Sequence, residues 1–177
     1  MQIIFGPVNS RRFGVSLGVD LSPQTKQCNF DCLYCELAPT KQVEKQNYII
    51  SVDEVVDVLK EHLSDKIDVI TITANGEPTL YPYLDELINR INIIKNRTKT
   101  LILTNAATLD KQDTYQTLLK FDKVKLSLDA ATPQTFKKID RPTKEIKVEH
   151  IITAMKHFSK EYQGELYIEI LFVKGIN

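Results

Sequence analysis

The chain has 177 residues, 42% of them hydrophobic and 26% charged, which is enough to bury one sizeable core. Its 23 basic and 23 acidic residues cancel, so no net field draws it to nucleic acid or to an anionic membrane. No apolar run approaches the roughly 20 residues of a membrane span, and the opening "MQIIFGPVNSRRFG" lacks the pattern of a secretory signal, so the expected location is the reducing cytoplasm.

The first predicted strand is "VSLGVDL", residues 15–21, with Val15, Leu17, Val19 and Leu21 on one face. A long connection, residues 22–50, follows it, and long connections in compact domains are often functional. Ser51 and Glu54 form a capping box ahead of a helix that sets Val52, Val55, Val56, Leu59 and Leu63 on one side. "IDVITIT", residues 67–73, is a β-branched strand, and "YLDELINRINII" returns to helical spacing through Leu84, Leu87, Ile88 and Ile91. The alternation continues with a strand at 100–104, a helix through Tyr115, Leu118 and Leu119, and a strand at 122–129. Thr132 is placed to cap and Pro133 to start a short helix, and a longer one runs around Ile151, Ile152, Met155 and Phe158. The last predicted strand is "ELYIEILFV", residues 165–173.

Five strands alternating with helices call for an α/β fold with a parallel sheet and helical crossovers; a doubly wound open sheet is the alternative. Nothing divides residues 1–177, so a single domain is expected. The chain stops at "KGIN" just after a strand that has no covering helix, which reads as a partial barrel or a truncation.

All three cysteines fall within "CNFDCLYC", residues 28–35, inside the long connection. The spacing C-x3-C-x2-C lets one tight loop aim Cys28, Cys32 and Cys35 at a common centre. Soft thiolates select zinc, copper(I) or iron–sulfur clusters. A cubane cluster usually takes four cysteines, so with three one iron stays open to a substrate or cofactor. Zinc is the alternative, with a histidine or a carboxylate such as Asp31 or Glu36 as fourth ligand. His62, His150 and His157 fall in helical segments far from the loop in sequence and read as surface or packing residues. A disulfide leaving one odd thiol ranks below both in a cytosolic chain.

In parallel α/β folds ligands bind beyond the C-terminal ends of the strands. The residues found there are not random: Asn75, Gly76, Glu77 and Pro78 after the second strand, Thr104 and Asn105 at the third, Ser127 and Asp129 at the fourth, Lys174, Gly175 and Asn177 at the fifth. Each alone is ordinary turn or cap chemistry. Together with the cysteine loop they make five segments converging on one rim.

C-x3-C-x2-C with Tyr34 directly before the last cysteine, followed by "NGEP" after the next strand, resembles the radical S-adenosylmethionine superfamily. The resemblance implies a partial (β/α) barrel of five to six parallel strands with outer helices. It also implies a [4Fe–4S] cluster on Cys28, Cys32 and Cys35 whose fourth ligand is S-adenosylmethionine. Carried over by residue, Tyr34 would lie near the adenine, and Asn75, Gly76, Glu77 and Pro78 would hold the methionyl ammonium. An ammonium has donors only, so it needs carbonyl and carboxylate acceptors. The family usually has two glycines before the glutamate; here the first is Asn75. Asn105 joins the cofactor set, Ser127 and Asp129 would contact the ribose or carboxylate, and Val173 and Gly175 would pass the adenine.

The chemistry so implied is reductive cleavage of S-adenosylmethionine to a 5′-deoxyadenosyl radical that abstracts hydrogen from a substrate, with a flavodoxin or ferredoxin as electron donor. The resemblance assigns no catalytic side chain. "FGPVNSRRFGVSLGVDLSP" and "LSLDAATPQTFKKIDRP" are similar to a branch that includes the wyosine-base synthases acting on tRNA. Those enzymes carry a second cluster on upstream cysteines, and residues 1–27 contain none. Arg11 and Arg12 read as solvated charge, and the charge balance does not support an RNA substrate. A non-enzymatic zinc or iron–sulfur module is the alternative function.

Overall fold

The computed structural model describes residues 2–177. Six strands form one sheet in sequence order: β1 Ile4–Ser10, β2 Gly14–Asp20, β3 Val69–Thr73, β4 Lys99–Thr104, β5 Lys123–Ser127 and β6 Glu165–Glu169. β2 to β6 are parallel, with Leu17 opposite Ile70, Ile72 opposite Ile102 and Leu126 opposite Ile168. The helices α1 Val52–His62, α2 Leu84–Ile94, α3 Gln112–Leu118, α4 Pro133–Ile139 and α5 Val148–Glu161 lie in the connections. Their starts follow the sequence: Ser51 accepts the Glu54 amide, Thr132 accepts the Thr135 amide, and Pro133 opens α4.

Two elements depart from expectation. β1 is a sixth strand, antiparallel to β2 and interrupted by a bulge between Phe5 and Val8. Its residues are mostly exposed, and "IFGPVNS" carries Gly-Pro at its centre, so no alternation announces it. β6 ends at Glu169 rather than Val173. Beyond it the Leu171 amide donates to Asp129 Oδ1 and the Val173 amide to Asn177 Oδ1, so side chains replace the sheet partner.

Alternate residues of the parallel strands face opposite ways. Leu17, Val19, Ile70, Ile72, Ile102, Val124 and Leu126 are fully buried and pack with Leu59, Leu87, Ile91 and Phe158 of the helices. The other face carries hydroxyls and charges together with the buried Val69 and Leu101. The sheet curls over it until its two ends touch: Phe13, in the β1–β2 turn, meets the Tyr167 ring edge-on at 5.2 Å, and Arg12 Nη1 reaches Glu169 Oε1 at 3.0 Å.

Candidate metal centre

The long connection is pinned by two buried side chains. Asp20 Oδ1, at the end of β2, accepts the amides of Ser22 (2.8 Å) and Asn75 (2.9 Å), fastening the loop start to the segment after β3. Gln27 Oε1 accepts the amides of Asn47 (2.5 Å) and Tyr48 (3.0 Å), while its Nε2 donates to Ser22 Oγ and Tyr48 O. One amide side chain thus clasps both ends of the loop. Backbone pairing continues the hold, with Gln27 N donating to Asn75 O and Glu77 N to Gln27 O. Gly76 makes this approach sterically feasible, since at φ +136° a Cβ there would sit 2.0 Å from the Gln27 carbonyl oxygen.

Cys28, Cys32 and Cys35 are half-buried free thiols. They line one cleft of about 220 Å³ together with Tyr34, Gly76, Glu77, Asn105 and Ser127. The structure therefore brings eight of the expected site residues together. Backbone bonds from Asp31 N to Asp140 O and from Leu33 N to Ile139 O seat the loop on the C-terminal end of α4. Burial, and then the nearby Glu77 charge, push the Cys28 thiol up to about 12. Burial, and then Asp140, push Cys32 higher still. Such thiols keep their protons until a metal's charge displaces them.

Among the described residues no three histidine, cysteine or acidic side chains converge on a point that holds a single ion. A cubane distributes its thiolates over separate irons, so sulfurs spread around one cleft fit a cluster. Zinc fits less well, since Asp31 is engaged by Lys26 at 3.1 Å and Glu36 is exposed. His62, His150 and His157 are exposed on α1 and α5.

Tyr34 donates its hydroxyl to Asp129 Oδ2, and Asp129 Oδ1 takes the Leu171 amide at 2.7 Å. Burial and that hydrogen bond raise the Tyr34 phenol far above its usual range, so it remains a donor. Burial, and then the charge of Asp129, lift Asp140 to about 7; its Oδ1 lies 3.8 Å from Cys32 Sγ.

Glu77 is placed otherwise than the ammonium role requires. Its carboxylate is buried and already satisfied: Oε1 accepts from Thr79 N (3.0 Å), Thr79 Oγ1 (2.8 Å) and Thr104 Oγ1 (2.6 Å), Oε2 from Asn105 N (2.8 Å). Burial pushes its pKa up and these donors pull it back. The carboxylate joins the loops after β3 and β4. Gly76 borders the cleft, and among the described residues its carbonyl accepts no hydrogen bond. Pro78 is buried at the start of a 3₁₀ turn, Pro78–Leu80, and Asn75 does not line the cleft. Gly175 lies outside it, in the turn after Val173 with open space about its Cα.

Sequence reasoning passed over Lys26, Gln27, Asn29 and Asp140. Asn29 Oδ1 accepts from Asn105 Nδ2 at 2.8 Å, and Lys26 borders the cleft. Their nearness to the first cysteine was the available signal for three of them; Asp140 had none. A larger groove of about 1000 Å³ between α3 and α5 shares no residue with the cysteine cleft.

A three-cysteine loop set at the C-terminal rim of a parallel α/β sheet defines a class, and residues 22–177 match the model of the Radical SAM superfamily. The chain belongs to that superfamily, whose members bind a [4Fe–4S] cluster and S-adenosylmethionine. It is 47% identical over 178 residues to a Helicobacter pylori protein named UPF0026, covering 99% of this chain and 58% of that one. The chain thus spans little more than half of that relative's length. Among solved structures it is similar to TYW1 with a lysine-pyruvate adduct bound (TM-score 0.64, 20% identity, 92% of this chain and 57% of that one). It is also similar to anSMEcpe with bound AdoMet (TM-score 0.59, 20% identity, 85% and 42%). These likenesses bear on the fold. No described helix is long and apolar enough to cross a membrane.

Proposed function

We propose that residues 1–177 form the radical-generating domain of an iron–sulfur enzyme, with Cys28, Cys32 and Cys35 as the protein ligands of its cluster. The observation that carries this reading is three half-buried thiols in one cleft with the unpaired Gly76 carbonyl beside them. When bound, the cluster and S-adenosylmethionine supply one-electron cleavage of the sulfonium C–S bond, leaving methionine and a 5′-deoxyadenosyl radical.

The chain's own residues hold and orient. The Gly76 carbonyl accepts from the methionyl ammonium, with Asn75 and Pro78 shaping that backbone and Glu77 bracing it from behind. Ser127 offers a hydroxyl to the ribose or carboxylate. Asn105 positions Asn29 beside Cys28. Asp129 acts through Tyr34, fixing the ring that closes the cleft. Gly175, in the turn after Val173, is the neighbour assigned to the adenine.

The electron comes from an external donor, a flavodoxin or ferredoxin by this reading, and the site of action is the cytoplasm, where the thiols stay reduced. The test is anaerobic reconstitution and dithionite reduction, with electron paramagnetic resonance before and after S-adenosylmethionine and 5′-deoxyadenosine quantified in the same sample. A reduced-cluster signal that changes on cofactor addition, with deoxyadenosine released, is expected. Zinc without iron, or a cluster indifferent to the cofactor, would overturn the proposal.

A further inference from the structure

The inner face of the curled sheet lines a second, open-sided chamber of about 450 Å³, within the range of small-molecule sites. Thr73 and Leu103 line both it and the cysteine cleft, so the two spaces adjoin. Phe5 lies across its wall, its ring occupying the place a Cβ of Gly18 would take, at 2.1 Å. Phe13 stands at the end where the sheet closes on itself.

The charges in this chamber are unequal. Arg11, Arg12 and Lys125 line it against one carboxylate, Glu169. Arg12 and Lys125 both converge on that carboxylate, Arg12 on Oε1 and Lys125 on Oε2. Two cations gripping one anionic group is the arrangement an anionic ligand would need, and Glu169 at present fills the ligand's place. The Lys125 side chain is 13% exposed and so a fixed anchor, whereas Arg12 is 64% exposed. The Arg12–Glu169 contact is an exposed ion pair of the kind that adds little stability, so Glu169 can yield Arg12 to an incoming anion at small cost while Lys125 stays in place. Ser16 and Thr71, hydrogen-bonded to each other at 2.8 Å, add hydroxyls to the same wall. Phe5, Phe13 and the partly exposed Leu103 supply apolar surface for the rest of a ligand.

We infer that this chamber binds the substrate, a small molecule with a phosphate or carboxylate head held by Lys125 and Arg12 and an apolar or aromatic body against Phe5 and Phe13. The inference rests on the proposed radical chemistry, because the chamber adjoins the cleft where that chemistry would begin.

Three probes of one shape test it by calorimetry on the reconstituted protein with S-adenosylmethionine present: phenyl phosphate, benzoate and benzyl alcohol. Saturable binding of either anion, tighter than that of benzyl alcohol, is expected, and the stronger of the two identifies the head group. Lys125→Met is expected to weaken that anion by about tenfold or more, the loss of one charge-assisted contact. Glu169→Gln is expected to tighten it severalfold, because it frees two cations from their internal anion. Thermal melts of both variants verify folding, and the opposite directions of their effects separate recognition from general damage. Equal binding of anion and alcohol, no binding of any probe, or weaker anion binding by Glu169→Gln would overturn the inference. Deoxyadenosine release is measured in parallel: cofactor cleavage without anion affinity sinks the chamber alone, and anion affinity without cleavage sinks the radical reading alone.

Discussion

The two faces of the sheet are written by alternate residues of the same strands and have opposite characters. Towards the helices stand Leu17, Val19, Ile70, Ile72, Ile102, Val124 and Leu126, all closed to solvent. Towards the inside stand Ser16, Thr71, Lys123, Lys125, Glu165 and Glu169, joined by hydrogen bonds and ion pairs. Hydrophobic burial scales with area removed from water, so the outer face supplies the stability. On the inner face Val69 and Leu101 are also closed to solvent but stand outside the main core, so that face contributes less to the sum and is free to carry chemistry. A one-residue slip in register would exchange the two, which is why the parallel pairing is so firmly specified.

The largest loss of function without loss of fold is expected at the cysteine rim. Alanine at Cys28, Cys32 or Cys35 is expected to abolish cluster incorporation, read as iron and sulfide content, while the urea midpoint of the metal-free protein moves little. A variant that keeps its full iron would remove that cysteine from the ligand set. Next in size is Ile70→Ala on the outer face, expected to cost about 2–5 kcal/mol in denaturant unfolding. Lys123→Met on the inner face loses only a partly exposed bridge to Glu165 at 2.6 Å and is expected to cost about 0–1 kcal/mol. If the two costs were equal, the division of labour between faces would fail.

Glu77→Gln falls between these, at about 1–3 kcal/mol, because it leaves at least one of four donors facing an amide nitrogen. With Glu77 acting as a brace, cofactor affinity should fall no further than stability does. A large affinity loss in a protein of normal stability would restore direct contact.

The smallest effect concerns acid. Asp122 lies at the opposite rim, at the N-terminal end of β5, where burial tends to raise its pKa but the Lys95 ammonium and the Thr100 amide and hydroxyl outweigh it and hold it low. A carboxylate depressed in the folded state adds stability above its unfolded pKa of about 3.9 and loses it as pH falls through the lower folded value. Unfolding free energy should therefore decline across that acid window, and Asp122→Asn should flatten the slope. An unchanged slope would assign the acid sensitivity to other groups.

Much of this was legible before any coordinates. β-branched runs, helical spacing and the caps at Ser51 and Thr132 are local signals, and they placed the parallel strands and the helices. The cysteine loop was legible because three thiols in eight residues have few physical uses. What escaped depends on distant partners. β1 is a strand only because β2 lies beside it, and β6 stops at Glu169 because Asp129 and Asn177 take the next amides. The direction of the Glu77 carboxylate is fixed by threonines on two other segments, which no motif specifies.

The contact between Gly76 and Gln27 also limits how this sequence can drift. Where Gly18 meets Phe5, the obstacle is a side chain, so a methyl at 18 becomes acceptable once the ring at 5 is exchanged for something smaller; the two positions can walk together. At Gly76 the obstacle is a main-chain oxygen, which every amino acid carries, so no second change elsewhere opens room. In a saturation library, position 18 should recover non-glycine residues in combination with a smaller residue at 5, whereas position 76 should return glycine alone.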